Sequence, residues 1–284
     1  MNPRDLLQAL LVVVVWGFNF VAIKLSVTEI PPLLLSTIRF ALTAAILLPF
    51  FRLKRGQFQQ VFYVGLVMGV GHFGMLMVGL SGADAATSAL MIQLGVPFSS
   101  ILAAVFLKDH LGWRRSLAMG LAFAGAALLA GEPKGASLPI LAALLFSAFC
   151  WAWGNILIKR IESVPPLAIM GWMGLFASPV IGAMSYVLED NHLMFIEHSS
   201  IQVWMMLAYT IGASSFLAYH IWYSLIKRLD LNQVVPFTLL VPVVGVTAGV
   251  VLLDETLTHY KVIGGLMTLL GVGVIQYRQA KKAS

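Results

Sequence analysis

Uninterrupted apolar runs of about 20 residues recur along the chain, most of them bounded by Lys, Arg, Pro or Gly. Ten stand out: 6–25, 32–51, 60–80, 86–107, 113–131, 137–158, 166–188, 202–225, 233–253 and 261–278. A helix needs about 20 mostly apolar residues to cross the hydrocarbon core of a bilayer. In lipid the backbone polar groups are satisfied only inside helices or closed barrels. These runs are continuous rather than alternating, which predicts helices and not strands. The connections are short and leave no room for a soluble domain. The pattern therefore predicts an all-α membrane protein with ten transmembrane helices. The first run has no small-x-small cleavage site after a short core, so it is read as a retained span and not as a signal peptide.

Composition agrees. Hydrophobic residues make up 60% of the chain and charged residues 11%, against about 25% charged in a soluble domain. The mean hydropathy is +0.90. The net charge of +6 raises nucleic acid as a partner, but its distribution excludes that need. With the N-terminus inside, the inner segments hold fourteen Lys and Arg. They are Arg4, Arg52, Lys54, Arg55, Lys108, Arg114, Arg115, Lys159, Arg160, Lys227, Arg228, Arg278, Lys281 and Lys282. The outer segments hold three, Lys24, Lys134 and Lys261. Basic loops stay on the cytoplasmic side, so both termini are expected in the cytoplasm, with the positive charge at the inner lipid surface. The longest outer connection, near Glu189 to His198, is acidic and contains no Lys or Arg.

The chain also repeats itself. Trp16 to Lys24 (WGFNFVAIK) resembles Trp151 to Lys159 (WAWGNILIK), and each copy is followed by a proline pair, Pro31-Pro32 and Pro165-Pro166. Further on, Pro97 matches Pro242, Leu107 matches Leu253, Asp109 matches Glu255 and Leu111 matches Leu257. This divides the chain into residues 1–131 and 132–284, each with five spans. An odd number of spans turns the second copy upside down, and inverted repeats are a recurring architecture of secondary transporters.

Candidate chemistry is sparse. Pro97 and Pro242 each fall mid-span, where a missing N–H interrupts the helix. Repeat-related interruptions point to a binding site, so the two are candidate hinges, with tolerated kinks as the plainer reading. Ionisable groups inside spans are costly and mark candidate sites. Arg39 lies about two turns inside the second span and could hold a carboxylate through a charge-assisted fork. His72 could donate to a substrate or change protonation; a neutral, hydrogen-bonded role is the alternative. His220 sits among Tyr219, Trp222 and Tyr223, as an interfacial aromatic belt would place them. Asn19, Gln93 and Asn155 could line a pocket or bond helices together, and Trp151 could form a wall. The GxxxG pairs Gly65/Gly69 and Gly245/Gly249 are expected to seat helices within the chain. No Asp or Glu lies clearly within a span, which argues against a lipophilic cation as cargo and for a neutral or zwitterionic one. Cys150 is the one cysteine, so no internal disulfide forms. His192 and His198 lack metal-ligand spacing, and no nucleotide-binding or hydrolytic motif is present. No cofactor and no catalytic residue is expected.

The stretches Leu11 to Lys24 (LVVVVWGFNFVAIK), Pro31 to Phe40 (PPLLLSTIRF), Trp151 to Ile156 (WAWGNI) and Leu239 to Thr258 (LLVPVVGVTAGVVLLDETLT) resemble the EamA group of the drug/metabolite transporter superfamily. The resemblance implies ten helices, cytoplasmic termini, alternating access between two repeats and efflux of amino acids or related metabolites. O-acetylserine and cysteine are the first candidate substrates. The chain is thus expected in the inner membrane of a bacterium, with a small-molecule substrate, the lipid bilayer and, for coupling, protons as partners. If protons drive transport, His72 or an acid at a helix end must carry them. Import, export of another metabolite or drug, and a channel are the alternatives; the sequence leaves the oligomeric state open.

Overall fold

In a computed structural model the described residues are 2–107, 112–133, 135–161, 164–229 and 234–283. Lys108, Asp109, Leu111 and Lys134 lie outside them, as do the side chains of Leu107, Lys159, Tyr223, Lys227, Lys281 and Lys282. The described residues are helical with no strand. The long helices are α1 (Pro3–Ser26), α2 (Pro32–Leu47), α3 (Arg55–Gly82), α4 (Ala85–Phe106), α5 (Gly112–Ala130), α6 (Leu138–Lys159), α7 (Pro166–Leu188), α8 (Ile201–Tyr209 continuing through Thr210–Ala218 to Tyr219–Arg228), α9 (Val235–Leu239 leading into Leu240–Leu253) and α10 (His259–Ala283). Among the described residues seven helices are long and apolar enough to cross a membrane, and Pro32–Leu47 and Phe237–Leu253 are shorter apolar helices. Helix α5 carries Arg114 and Arg115 in its first turn.

Local chemistry sets the ends. Asn2 caps α1 through its side chain, which accepts from the amide of Asp5 at 2.8 Å. Helices α2 and α7 each start on the second proline of a pair, with Pro31 and Pro165 as N-caps; proline at the first helical position loses no hydrogen bond. The second apolar run was expected to be helical to residue 51, but α2 stops at Leu47. Pro49 has no N–H to continue the ladder. The acidic connection after α7 is not a plain loop, since His192–His198 is helical.

Two helices leave α geometry in their middles. Gly65–Gly74 in α3 and Thr210–Ala218 in α8 are π-helical. The two stretches start 145 residues apart, the spacing that separates Pro97 from Pro242. Such wide turns are rare and recur at functional sites.

Small residues let the helices approach. A Cβ on Gly174 of α7 would meet the Phe40 carbonyl oxygen of α2 at 2.7 Å, and one on Gly171 would meet Leu47 at 2.9 Å. Between α5 and α10, a Cβ on Gly125 would meet the Gly264 carbonyl oxygen at 2.5 Å, and one on Gly271 would meet that of Ala118 at 2.5 Å. The GxxxG pairs work within the chain as expected: Gly65 and Gly69 seat α3 on Phe176 and Ala177 of α7, and Gly245 seats α9 on Ala89 of α4. The largest buried cluster joins α1, α2, the C-terminal part of α3, α4, α5, α6, α8, α9 and α10. A second joins the N-terminal and middle parts of α3 with α2 and α7.

Candidate functional site

Arg39 is the central feature. It lies seven residues after the start of α2 and is 2% exposed. Its Nη2 donates to Ser215 Oγ at 3.0 Å, in the π-helical part of α8. The guanidinium carbon stands 4.8 Å from the ring centroid of Phe73 and 5.8 Å from that of Phe40, cation–π contacts worth about 0.5–2 kcal/mol each. Nη1 is buried and has no hydrogen-bond partner. No carboxylate among the described residues pairs with this cation. A buried charge without a counter-ion is expensive, so a spare donor on it is a place for an anionic group.

Ser215 is held for this contact. Its hydroxyl donates to the Thr210 carbonyl at 3.0 Å, five residues back, which leaves its lone pairs for Arg39. Next to it, the Ser214 carbonyl accepts from Trp16 Nε1 at 3.4 Å. Trp16 packs its ring on Tyr219 at 5.1 Å and on Trp222 at 5.4 Å, and Tyr209 donates to the Val15 carbonyl at 2.9 Å. Helices α1 and α2 thus both reach the wide turn of α8. The aromatic belt expected around His220 is instead split. Tyr219 and Trp222, three apart on one helix face, turn in toward α1, while His220 is exposed.

His72 sits in the corresponding wide turn of α3. Its Nδ1 lies 2.9 Å from Ser147 Oγ and 3.1 Å from the Ser147 carbonyl, and Ser147 Oγ donates back to the His72 carbonyl at 2.8 Å. This reciprocal clip ties α3 to α6. The His72 ring packs on Phe73 at 4.6 Å, so His72 and Arg39 share Phe73 as a neighbour. Gln93 donates to the Thr238 carbonyl at 3.1 Å, the carbonyl that Pro242, four residues on, cannot serve. Asn155 donates to the Trp151 carbonyl of its own helix at 2.8 Å. Asn19 Oδ1 is buried and has no hydrogen-bond partner. Trp151 packs against α4 where Gly95 leaves room. The helix pauses in a turn at Gln93–Leu94 ahead of Pro97, and α9 opens with a 3-10 turn ahead of Pro242.

The structure therefore gathers Arg39 with His72 around Phe73, and leaves Gln93, Asn155 and Trp151 on α4 and α6, each used by the protein. Ser215, Ser214 and Phe73 escaped the sequence reading. Short hydroxyl residues and a lone Phe in an apolar run carry no pattern of their own; a π-helical turn has no simple sequence signature.

A family model described as the EamA-like transporter family matches residues 4–131 and again 138–277. This chain belongs to the EamA-like transporter family. It is a multi-pass inner-membrane transporter with a small-molecule substrate. A protein of Salmonella typhimurium named "Probable amino-acid metabolite efflux pump" is 31% identical, over 100% of this chain and 99% of its own length. A protein of Escherichia coli K12 with the same name is 30% identical, over 99% of both. An "Uncharacterized transporter" of Archaeoglobus fulgidus is 26% identical over 93% of this chain and 96% of its own length. A solved crystal structure with 16% identity superimposes over the whole of both chains with a TM-score of 0.67, which is a likeness of fold.

Proposed function

We propose that this EamA-family transporter exports small amino-acid metabolites, O-acetylserine and cysteine first, by alternating access. Arg39 holds the substrate carboxylate. The observation that carries the reading is the spare Nη1 on a guanidinium buried mid-helix with no carboxylate among the described residues to pair with it. A carboxylate docking there gains a two-pronged, charge-assisted contact on a guanidinium that is 2% exposed. Asn19, with its unpartnered Oδ1, is the candidate acceptor for the substrate ammonium. Gln93, Trp151 and Asn155 line the path beyond, and Pro97 and Pro242 are its hinges. His72 is a candidate proton carrier, released for that role only when its clip to Ser147 opens.

The architecture we infer is ten crossings with both termini in the cytoplasm, as two inverted repeats, residues 1–131 and 132–284. The charge distribution supports the orientation. The repeat is supported by the paired proline starts of α2 and α7, by the two π-helical stretches 145 residues apart, and by the family model matching twice. The relatives' names support export of amino-acid metabolites. The protein acts by carrying, with no catalytic step.

The test is counterflow and efflux in proteoliposomes with labelled O-acetylserine, cysteine, an aromatic amino acid and a cationic dye, with and without a pH gradient. Saturable movement of the first two, lost in Arg39→Ala, is the expected result. Equal transport by wild type and Arg39→Ala, with both folded, would sink the carboxylate anchor. Preference for the aromatic amino acid or the dye would overturn the substrate.

A further inference from the structure

Among the described residues the contacts between α4 and α9 concentrate at one end. Over Ala85–Ile92 α4 packs on Leu240–Leu253 of α9 as well as on α1, α6 and α10, and from Gly95 onward it packs mainly on α6 and α10. The seam is short and close: a Cβ on Gly245 would stand 3.0 Å from that of Ala89, and one on Gly249 would stand 3.5 Å from the Ala86 amide. At the outer tip the seam is closed by one side chain. Glu255 Oε1 accepts from the Ala85 amide at 2.6 Å, and Oε2 accepts from the Ala86 amide at 2.9 Å. A carboxylate on the first amides of a helix satisfies orphan donors and meets the positive end of the dipole.

The chain is shaped to deliver that carboxylate. Asp254 takes a left-handed conformation, φ 54°, which Asp tolerates better than most residues. The turn lets both the Asp254 and Glu255 amides bond to the Gly249 carbonyl. It folds Glu255 back over Gly249, where a Cβ would lie 2.5 Å from Oε2. Beside it Lys261 of α10 pairs with Asp84. Lys24 of α1 donates to the Leu80 and Ala83 carbonyls at 2.9 and 2.7 Å. These groups ring a cavity of about 420 Å³ lined by Lys24, Thr28, Asp84, Asp254, Glu255 and Thr256. At the other end of the seam, Gln93 reaches Thr238 between the two proline breaks.

We propose that Glu255 is the latch of a gate at the outer end of α4 and α9, with the Gln93–Thr238 contact as the point about which the helices part. Closed, it seals the bundle on that face; released, it lets the outer half-helices separate while their inner halves, already apart, approach. Two other carboxylates cap helices across the chain in the same way. Glu189 accepts from the Leu33 and Leu34 amides, and Glu29 accepts from the Ser200 amide and hydroxyl. They join α7 to α2 and the α1–α2 connection to the start of α8. Those helix pairs pack along their whole length, so these two are clamps and not latches.

The proposal rests on the alternating-access reading above, but its test needs no substrate. In a Cys150→Ser background, Ala89→Cys places a thiol in the seam, where Ala89 is 2% exposed. Its reaction with a membrane-impermeant maleimide is timed in right-side-out and inside-out vesicles. In the otherwise intact chain labelling is slow. Glu255→Ala is expected to accelerate it at least tenfold from one face only. Gly249→Ala, which pushes the carboxylate aside without removing it, is expected to do the same. Glu189→Ala is expected to lower the melting temperature and leave labelling within twofold. Acceleration only from the outside supports the gate as drawn; acceleration only from the inside supports the latch and reverses the orientation. No acceleration in either Glu255→Ala or Gly249→Ala overturns the proposal. So does acceleration from both faces, which is loss of fold, or an equal effect of Glu189→Ala.

Discussion

Helices α2 and α7 and helices α4 and α9 are built from the same parts, and the protein uses them differently. In each pair a glutamate just past the end of the later helix caps the first amides of the earlier one, Glu189 on Leu33 and Leu34, Glu255 on Ala85 and Ala86. In each pair glycines on the later helix bring the backbones together. Along α2 and α7 the close approaches run from Thr37 against Gly182 to Leu47 against Gly171, nearly the full length of α2. Along α4 and α9 they stop at Ala89 and Gly245, and the proline breaks lie just beyond. The same cap therefore stabilises a continuous seam in one place and closes a short one in the other. In lipid, helices associate through packing and interhelical hydrogen bonds, so a seam holds as far as its small residues reach.

The comparison can be broken or sharpened by substitution. The largest effect is expected from Gly174→Leu. A side chain there collides with the Phe40 backbone, and overpacking a close seam costs about 1–3 kcal/mol or more. Loss of monodisperse protein on size exclusion in detergent is the expected outcome, and a folded Gly174→Leu protein would show that α2 and α7 can part. Next comes Arg39→Lys, which keeps the charge but loses the planar fork. Transport is expected to fall at least tenfold with the melting temperature within a few degrees of wild type. An equal loss of stability and transport would make Arg39 a packing residue only. Glu189→Ala leaves two helix amides unserved and should cost about 1–3 kcal/mol, read as a lower melting temperature. If it costs nothing, the clamp role fails. The smallest effect is expected from Gly245→Ala, whose Cβ would stand 3.0 Å from that of Ala89 and 3.5 Å, an ordinary contact, from the Gly17 carbonyl oxygen and the Phe20 ring. Removing a helical glycine recovers roughly 0.5–1 kcal/mol, so the net change in melting temperature should be near zero. A loss as large as that of Gly174→Leu would erase the distinction between the two seams.

Much of this was readable before any coordinates. Among the described residues seven helices are long and apolar enough to cross a membrane and two more are shorter and apolar, because continuous hydrophobicity over a bilayer's length leaves the backbone one way to satisfy itself. The apolar runs expected from 32 and 166 begin as α2 and α7 at the second proline of each repeated pair. Arg39 and His72 stood out because a titratable group in an apolar run is costly, and both pack on Phe73. The reading stopped where pattern stops. His72, Gln93 and Asn155 looked alike as polar residues in spans, but which is bonded to Ser147, Thr238 or its own helix depends on neighbours far along the chain. Glu255 read as an acid at a helix end, with nothing in its surroundings to mark its reach to α4.

The sequence alone determined that this chain lives in lipid, that it is helical, and that its unusual residues are few. Those properties follow from the cost of exposing polar groups to hydrocarbon, which each segment bears by itself. Only the tertiary structure decided which helices share a full-length seam and which touch at one end. It alone showed that Arg39 has a spare donor and that three carboxylates serve helices remote from their own. Close approach and hydrogen bonding depend on tenths of an ångström between segments 150 and more residues apart, a distance no local pattern spans.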